Sequence, residues 1–307
     1  MKVLIATDKP FSSAAVAGIK KIVEEAGYSL AVLEKYGTED KFIEAVADAD
    51  ALIVRSDKVT KAVIDAAKNL KIVVRAGAGF DNLDLAALSA RKIVAMNTPG
   101  QNSNAVAELA IGMMIYISRN QFTPGTGSEL KGKVLGIQAY GHVGKLVADH
   151  AKSFGMTIMA FDPFVPKEVM EKDGVLVAKD LDDLYSHSNF ISLHIPANDQ
   201  TKGSIGYALL SKMPKGGCLV NTARKEVINE PEIDKILEER QDLKYVTDIA
   251  PANIATLKEK FGNRVFATPK KQGAETAEAN MNAGLAAANQ IVGFFKNGCT
   301  KFQVNKF

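Results

Sequence analysis

Short apolar, β-branched runs alternate with helix-length amphipathic segments along this chain, and that alternation restricts its fold more than any other feature. Val3 to Ala6 precedes a helical pattern from Ala14 to Ala26, Leu30 to Leu33 precedes Asp40 to Val46, Ala51 to Val54 precedes Lys61 to Ala67, and Ile72 to Arg75 follows. A second series begins at Val134 to Ile137. It continues through Thr157 to Phe161, Phe190 to His194, Gly217 to Asn221, Tyr245 to Asp248 and Val265 to Ala267, with a helix expected over Asn280 to Phe295. Strands spaced by helical segments form mostly parallel sheets covered by helices. The two series therefore predict two doubly wound α/β domains with a cleft between them. The intervening stretch from Val106 to Ser118 is small and apolar on several sides, so its helix is expected to bury more than one face, between domains or between subunits.

Bulk properties narrow the function. A length of 307 residues admits one core or two, and 47% hydrophobic content supplies a packed interior. The net charge of +3, with no lysine or arginine block, points to no nucleic acid partner. Cys218 and Cys299, the only cysteines, lack metal-ligand spacing and read as reduced thiols, so no metal is expected. The first residues read as a strand rather than a signal peptide, and no apolar run is long enough to span a membrane. A cytoplasmic protein without membrane contact is the expectation, with no room after the second series for a regulatory domain.

The segment from Val134 to Gly144 runs from a strand through a small-residue turn into a helix starting near His142. Tyr140, Gly141, His142 and Val143 then offer backbone N–H groups at a helix N-terminus, where a pyrophosphate is well held. Asp162 ends the next strand, 18 residues beyond Gly144, where its carboxylate suits both ribose hydroxyls and repels a 2′-phosphate. That pattern favours NAD over NADP. Ala139 stands where the first glycine of such turns belongs, and it is expected to keep a negative φ with a slightly altered pyrophosphate loop.

With these motifs in place, the chain resembles the D-2-hydroxyacid dehydrogenase family over nearly its whole length. The resemblance rests on Val74 to Leu85, Met96 to Ser103, Val106 to Leu109, Ser192 to Pro196 with Thr201, and Leu219 to Arg224. It implies two Rossmann- or flavodoxin-like domains, an NAD-binding one at 98–284 and a substrate-binding one at 1–97 plus 285–307. Arg224 would grip the substrate carboxylate, which suits a guanidinium fork. Asp248, His194, Pro196, Thr201, Thr222 and Ala223 would lie at the cofactor. Arg55, Ser56, Arg75, Gly77, Asn102 and Ser103 would face the substrate, the two arginines reaching a phosphate as in the family's phosphoglycerate-oxidising members. The resemblance also implies a homodimer formed through the Val106 to Ser118 helix and the Phe122 to Gly127 segment. The implied reaction is NAD-dependent oxidation of D-3-phosphoglycerate to 3-phosphohydroxypyruvate in serine synthesis. A glyoxylate or hydroxypyruvate reductase, another 2-hydroxyacid dehydrogenase, and an inactive NAD-sensing binding protein are the alternatives.

The chain leaves the family pattern at one point. Thr268-Pro269 is followed by Lys270 and Lys271 in place of the usual catalytic histidine, and Asn253 stands where its partner glutamate belongs. A carboxylate raises a neighbouring base's pKa, which helps a histidine but would push a lysine, roughly 10.4 in the open, further from neutrality. Loss of both members together suits a lysine acting as acid/base, either Lys270 or Lys271, and is also what an inactive relative would show.

Overall fold

Parallel ladders join twelve strands into two separate sheets in the computed structural model, which describes residues 1–307. In chain order the strands are β1 (Lys2–Thr7), β2 (Ser29–Glu34), β3 (Ala51–Val54), β4 (Ile72–Arg75), β5 (Val94–Asn97), β6 (Val134–Gln138), β7 (Thr157–Phe161), β8 (Leu176–Val177), β9 (Phe190–Leu193), β10 (Cys218–Asn221), β11 (Lys244–Thr247) and β12 (Val265–Ala267). One unit comprises Met1–Asn102 with Glu275–Phe307 and carries the order β2-β1-β3-β4-β5. The other comprises Ser103–Ala274 and carries the order β12-β11-β10-β9-β6-β7-β8. Two doubly wound α/β units are what the alternation predicts. Central strands such as β3, β9 and β10 are buried at every residue, so their sequences are mostly apolar, with Ser192 and Asn221 as buried polar residues.

The units divide at Asn102/Ser103 and Ala274/Glu275 rather than at 97/98 and 284/285. A boundary at 284 would cut through a single helix, Ala277–Asn297. Thr276 caps that helix by accepting from Ala279 N at 3.1 Å, and Gly298 ends it in a left-handed turn that donates to Phe294 O at 2.9 Å. In the first unit this helix packs on Ser13–Glu25, which buries Ala15, Ile19 and Val23 along one face. Leu285 fills the space beside Gly18, where a Cβ would lie 2.6 Å from its Cδ2. The following segment covers the β5 edge: Val304 N donates to Ala95 O at 2.8 Å, and Asn305 accepts from Ala95 N and donates to Ile93 O, both at 2.9 Å.

In the second unit the helix Ser103–Ser118 puts Ala107, Ala110, Ile111, Met113, Met114 and Ile117 into one core with Leu135, Ile137 and Val246. Val106, Leu109, Ile115 and Tyr116 of the same helix stay partly exposed. No helix of the protein is long and apolar enough to cross a membrane.

The glycine turn departs from expectation at one residue. Ala139 has φ +77°, not a negative φ, because β6 must turn sharply to bring the chain into the helix His142–Ser153. The crossing is tight: a Cβ on Gly144 would stand 2.3 Å from Ala139 O. The third glycine is therefore a steric requirement, while the first position carries a strained alanine. Left-handed backbone costs an L-residue roughly 1–2 kcal/mol, more than glycine's extra freedom loses in the unfolded chain. Ala139→Gly is expected to stabilise the fold by about 0.5–1 kcal/mol, seen as a higher urea midpoint at unchanged slope.

Candidate active site

Residues at the carboxyl ends of the second unit's strands form the cofactor face. The crevice of such a sheet opens where strand order reverses, here at β6 with β7 and β9 on either side. The helix His142–Ser153 begins there with Gly141 as its N-cap, and no side chain caps its first turn. Its leading N–H groups at Gly141, His142 and Val143 belong to exposed or half-buried residues, suited to an anionic pyrophosphate. Tyr140, expected to offer its N–H to the pyrophosphate, donates it instead to Asp162 Oδ2 at 2.8 Å. Its ring is 1% exposed, its hydroxyl donates to Asp173 at 3.2 Å, and burial pushes the phenol's pKa well above its usual value.

Asp162, just past β7, accepts from Tyr140 N through Oδ2 and from Phe164 N through Oδ1, each at 2.8 Å. One backbone bond per oxygen fixes the carboxylate and leaves each oxygen a lone pair for ribose hydroxyls. His194 follows β9, with its ring Nε2 3.0 Å from Ser192 Oγ. Burial lowers its pKa, which favours the neutral ring. Beyond it, Thr201 Oγ1 donates to Pro196 O at 2.5 Å and accepts from Asn198 N at 2.9 Å, closing the Pro196–Thr201 turn.

After β10, Asn221 clamps the next turn from a fully buried position. It accepts from Ala223 N at 3.0 Å and donates to Arg224 O at 2.9 Å. Thr222 is 5% exposed, yet its Oγ1 has no hydrogen-bond partner, a buried group whose need a bound cofactor would meet. Arg224 donates to Ala223 O at 2.9 Å and makes no ion pair, which leaves its fork for an anion. With the Gly144 crossing, these features fit a dinucleotide.

Asp248, expected beside the cofactor, directly follows β11. It is 0% exposed, and both carboxylate oxygens are engaged by the chain from Thr268 to Gly273. Lys270 and Lys271, in that same segment, are exposed, and Asn253, half-buried, leaves its Oδ1 without a partner.

In the first unit, Arg55 directly follows β3 and Arg75 ends β4. Arg55 Nη1 donates to Lys9 O and Pro10 O at 3.1 and 3.0 Å, while Nη2 donates to Asn280 and lies 3.7 Å from Glu275. Its guanidinium also packs over the Phe11 ring. Arg75 Nε donates to Arg55 O at 3.0 Å, and its Nη1 occupies the space where a Cβ on Gly77 (φ +149°) would stand. Gly77 thus makes room for Arg75. Asn82, donating to Asp57 O at 2.7 Å, frames the exposed Ser56, and Asn97 pins the glycine loop through Ala78 O at 2.6 Å. Asn102 ends this unit's first segment, and the buried Ser103 opens the helix of the other unit. Sequence reading named neither Asn82, Asn97 nor Thr268 as organising residues. Asparagine at a strand or turn end was the available signal.

Residues 106–272 match the family described as D-isomer specific 2-hydroxyacid dehydrogenase, NAD binding domain. The chain belongs to that family. It is 37% identical over 83% of its length to D-3-phosphoglycerate dehydrogenase of Methanocaldococcus jannaschii, covering 51% of that protein. It is 35% identical to hydroxypyruvate reductase of Thermotoga maritima over 85% of its own length and 90% of the relative's. Among solved structures, NAD⁺-bound 3-phosphoglycerate dehydrogenase of Entamoeba histolytica superposes with a TM-score of 0.90 at 50% identity, over 100% of this chain and 99% of the other. The chain spans about half the length of several curated phosphoglycerate dehydrogenases it matches. NAD is the cofactor of this family's nucleotide domain.

Asp162 tests the specificity of that site. Asp162→Ala is expected to weaken NAD binding far more than NADP binding, since the change removes ribose contacts for both but relieves repulsion only for the 2′-phosphate. Fluorescence titration of the two cofactors checks this, and equal losses would count against the assignment.

Proposed function

We propose that this dehydrogenase oxidises D-3-phosphoglycerate to 3-phosphohydroxypyruvate, the entry into serine synthesis, using a lysine of the Lys270-Lys271 pair in place of the family histidine. The observation that carries the reading is whole-length likeness, at 50% identity, to a protein named 3-phosphoglycerate dehydrogenase. The retained Arg224 fork and the two exposed lysines after Thr268-Pro269 support it from the chain's own chemistry.

Arg224 grips the substrate carboxylate through parallel charge-assisted bonds and polarises the C2–O bond as it becomes a carbonyl. The lysine takes the proton of the C2 hydroxyl. Bound NAD supplies the hydride acceptor, so C2 is oxidised by two electrons while a proton passes to the lysine. Arg75 meets the phosphate, with Asn102 and Ser103 as neutral hydrogen-bonding groups nearby in sequence. The protein acts as a homodimer paired through the Ser103–Ser118 helix and the Phe122 to Gly127 segment. A reducing, cytoplasmic setting suits its two free cysteines.

A second reading, reduction of hydroxypyruvate or glyoxylate, draws on the bonds that already hold the Arg55 guanidinium. It also draws on the Thermotoga relative, matched over 90% of its length. Initial rates with NADH and phosphorylated or plain 2-keto acids separate the two. Under the leading reading, Arg75→Ala raises KM for 3-phosphoglycerate roughly 10- to 100-fold, well beyond its effect on an unphosphorylated 2-hydroxy acid.

For the lysine, Ala or Met at the active position is expected to cut kcat by roughly 10²–10⁴, while NAD affinity holds and the neighbouring lysine's replacement costs little. Turnover of both single variants and the double variant across pH, with NAD binding followed separately, measures this. Near-wild-type turnover of the double variant would overturn the lysine assignment. NAD binding without turnover of any 2-keto acid by the unaltered protein would point to a sensor.

A further inference from the structure

One carboxylate oxygen gathers three strand ends in the first unit. Asp57 Oδ1 accepts from Asp8 N, just past β1, and from the Tyr36 hydroxyl, just past β2, each at 2.7 Å. Asp57 itself follows β3, and the three strands are neighbours in the order β2-β1-β3. Its main-chain oxygen accepts from Asn82 Nδ2 at 2.7 Å, so the residue is held through both side chain and backbone. Tyr36 is aimed by its ring, which packs on the buried Phe42 at 5.5 Å between centroids. Burial and the neighbouring Asp57 carboxylate push the Tyr36 phenol above its usual pKa, which keeps the hydroxyl a donor. Asp57 is 8% exposed, and its Oδ2 has no partner. On the other side of Ser56, Arg55 O accepts from Arg75 Nε at 3.0 Å. The exposed Ser56 therefore stands between two pinned residues, in a corner that belongs to no helix or strand.

We propose that Asp57, with Tyr36 as its donor, is a positioning residue that holds the Arg55-Ser56 corner for the phosphate of the substrate. The inference rests on the reading of D-3-phosphoglycerate as substrate, with Ser56 facing it. An irregular corner that is free to move must be ordered when a ligand binds, and that ordering weakens binding. Asp57 supplies the order in advance, because donors converging on a charged oxygen make stronger bonds than neutral pairs do. The effect falls on recognition of the phosphate rather than on hydride transfer, since Arg224 and the lysines belong to the other unit. A single oxygen accepts both side-chain bonds. An asparagine that keeps this oxygen can therefore stand in for the carboxylate, whereas alanine cannot.

The test compares Tyr36→Phe, Asp57→Ala and Asp57→Asn with the unaltered protein. Measurements are kcat and KM for D-3-phosphoglycerate and for an unphosphorylated 2-hydroxy acid, NAD affinity, and the urea midpoint. The KM for D-3-phosphoglycerate is expected to rise roughly 3- to 10-fold with Tyr36→Phe and roughly 10- to 100-fold with Asp57→Ala. The kcat, the NAD affinity and the KM of the unphosphorylated acid should hold. Asp57→Asn, which keeps the accepting oxygen, should restore most of the affinity even where it lowers the urea midpoint. Equal rises for the two substrates, a loss confined to kcat, or an unaltered KM would overturn the proposal while leaving the substrate reading intact. So would an Asp57→Asn as damaging as Asp57→Ala, which would make the charge, and not the anchored oxygen, the active feature. An unaltered protein that does not turn over D-3-phosphoglycerate would sink the substrate reading and this inference with it. Should Asp57→Ala fail to fold, Tyr36→Phe, which removes a single hydroxyl, decides the matter by the same split in KM.

Discussion

In-register parallel pairing from β12 through β11, β10, β9 and β6 to β7 brings the carboxyl ends of six strands to one edge of a sheet. The ladder does not stop at the strand ends. Ala139 donates to Phe161, His194 to Gln138, Asp248 to Asn221 and Thr268 to Thr247, each from the residue just beyond its strand. Residues at the functional edge thus keep backbone positions set by the sheet, although they look like loop residues in the sequence. Catalytic geometry tolerates errors of only a fraction of an ångström, and a sheet edge holds that tolerance where a free loop would not.

Beyond the ladder, buried polar side chains carry the order outward. Asn221 holds the turn that ends in Arg224, Asp162 holds the entry to the glycine turn, and Asp248 holds the chain from Thr268 to Gly273. In the first unit Asn82 and Asn97 do the same for the loops after β3 and β4. Each buries a polar group, which is tolerable only because its hydrogen bonds are made. Thr222 Oγ1 makes none, and it lies in the turn after β10 where a cofactor would bring a partner.

The sequence made the two sheets legible because burial on both faces leaves a mostly apolar run. β5 and β8 escaped the reading: β5 is four residues long beside a glycine loop, and β8 has only two residues at an edge. Asp162 and the glycine turn were legible because their chemistry is local. The hydrogen bonds of Arg55 were not, since its partners Pro10 and Asn280 lie 45 and 225 residues away. Asp248 was noticed for its place at a strand end, yet its three donors come from a segment 20 to 25 residues later, so its partners were invisible. The positive φ of Ala139 is the reverse case. Composition argued against it, and the tight path from β6 into the helix imposed it.

The covering of the β5 edge by Val304 and Asn305, and of the Ser13–Glu25 helix by Ala277–Asn297, has a consequence for the order of synthesis. Those covering residues leave the ribosome only after the whole inserted unit has been made. Until then the earlier-made sheet presents an unprotected edge and an apolar helix face, the surfaces by which nascent chains stick to one another. The inserted unit, continuous in sequence, can close its own core first. The portion translated first is therefore the portion finished last.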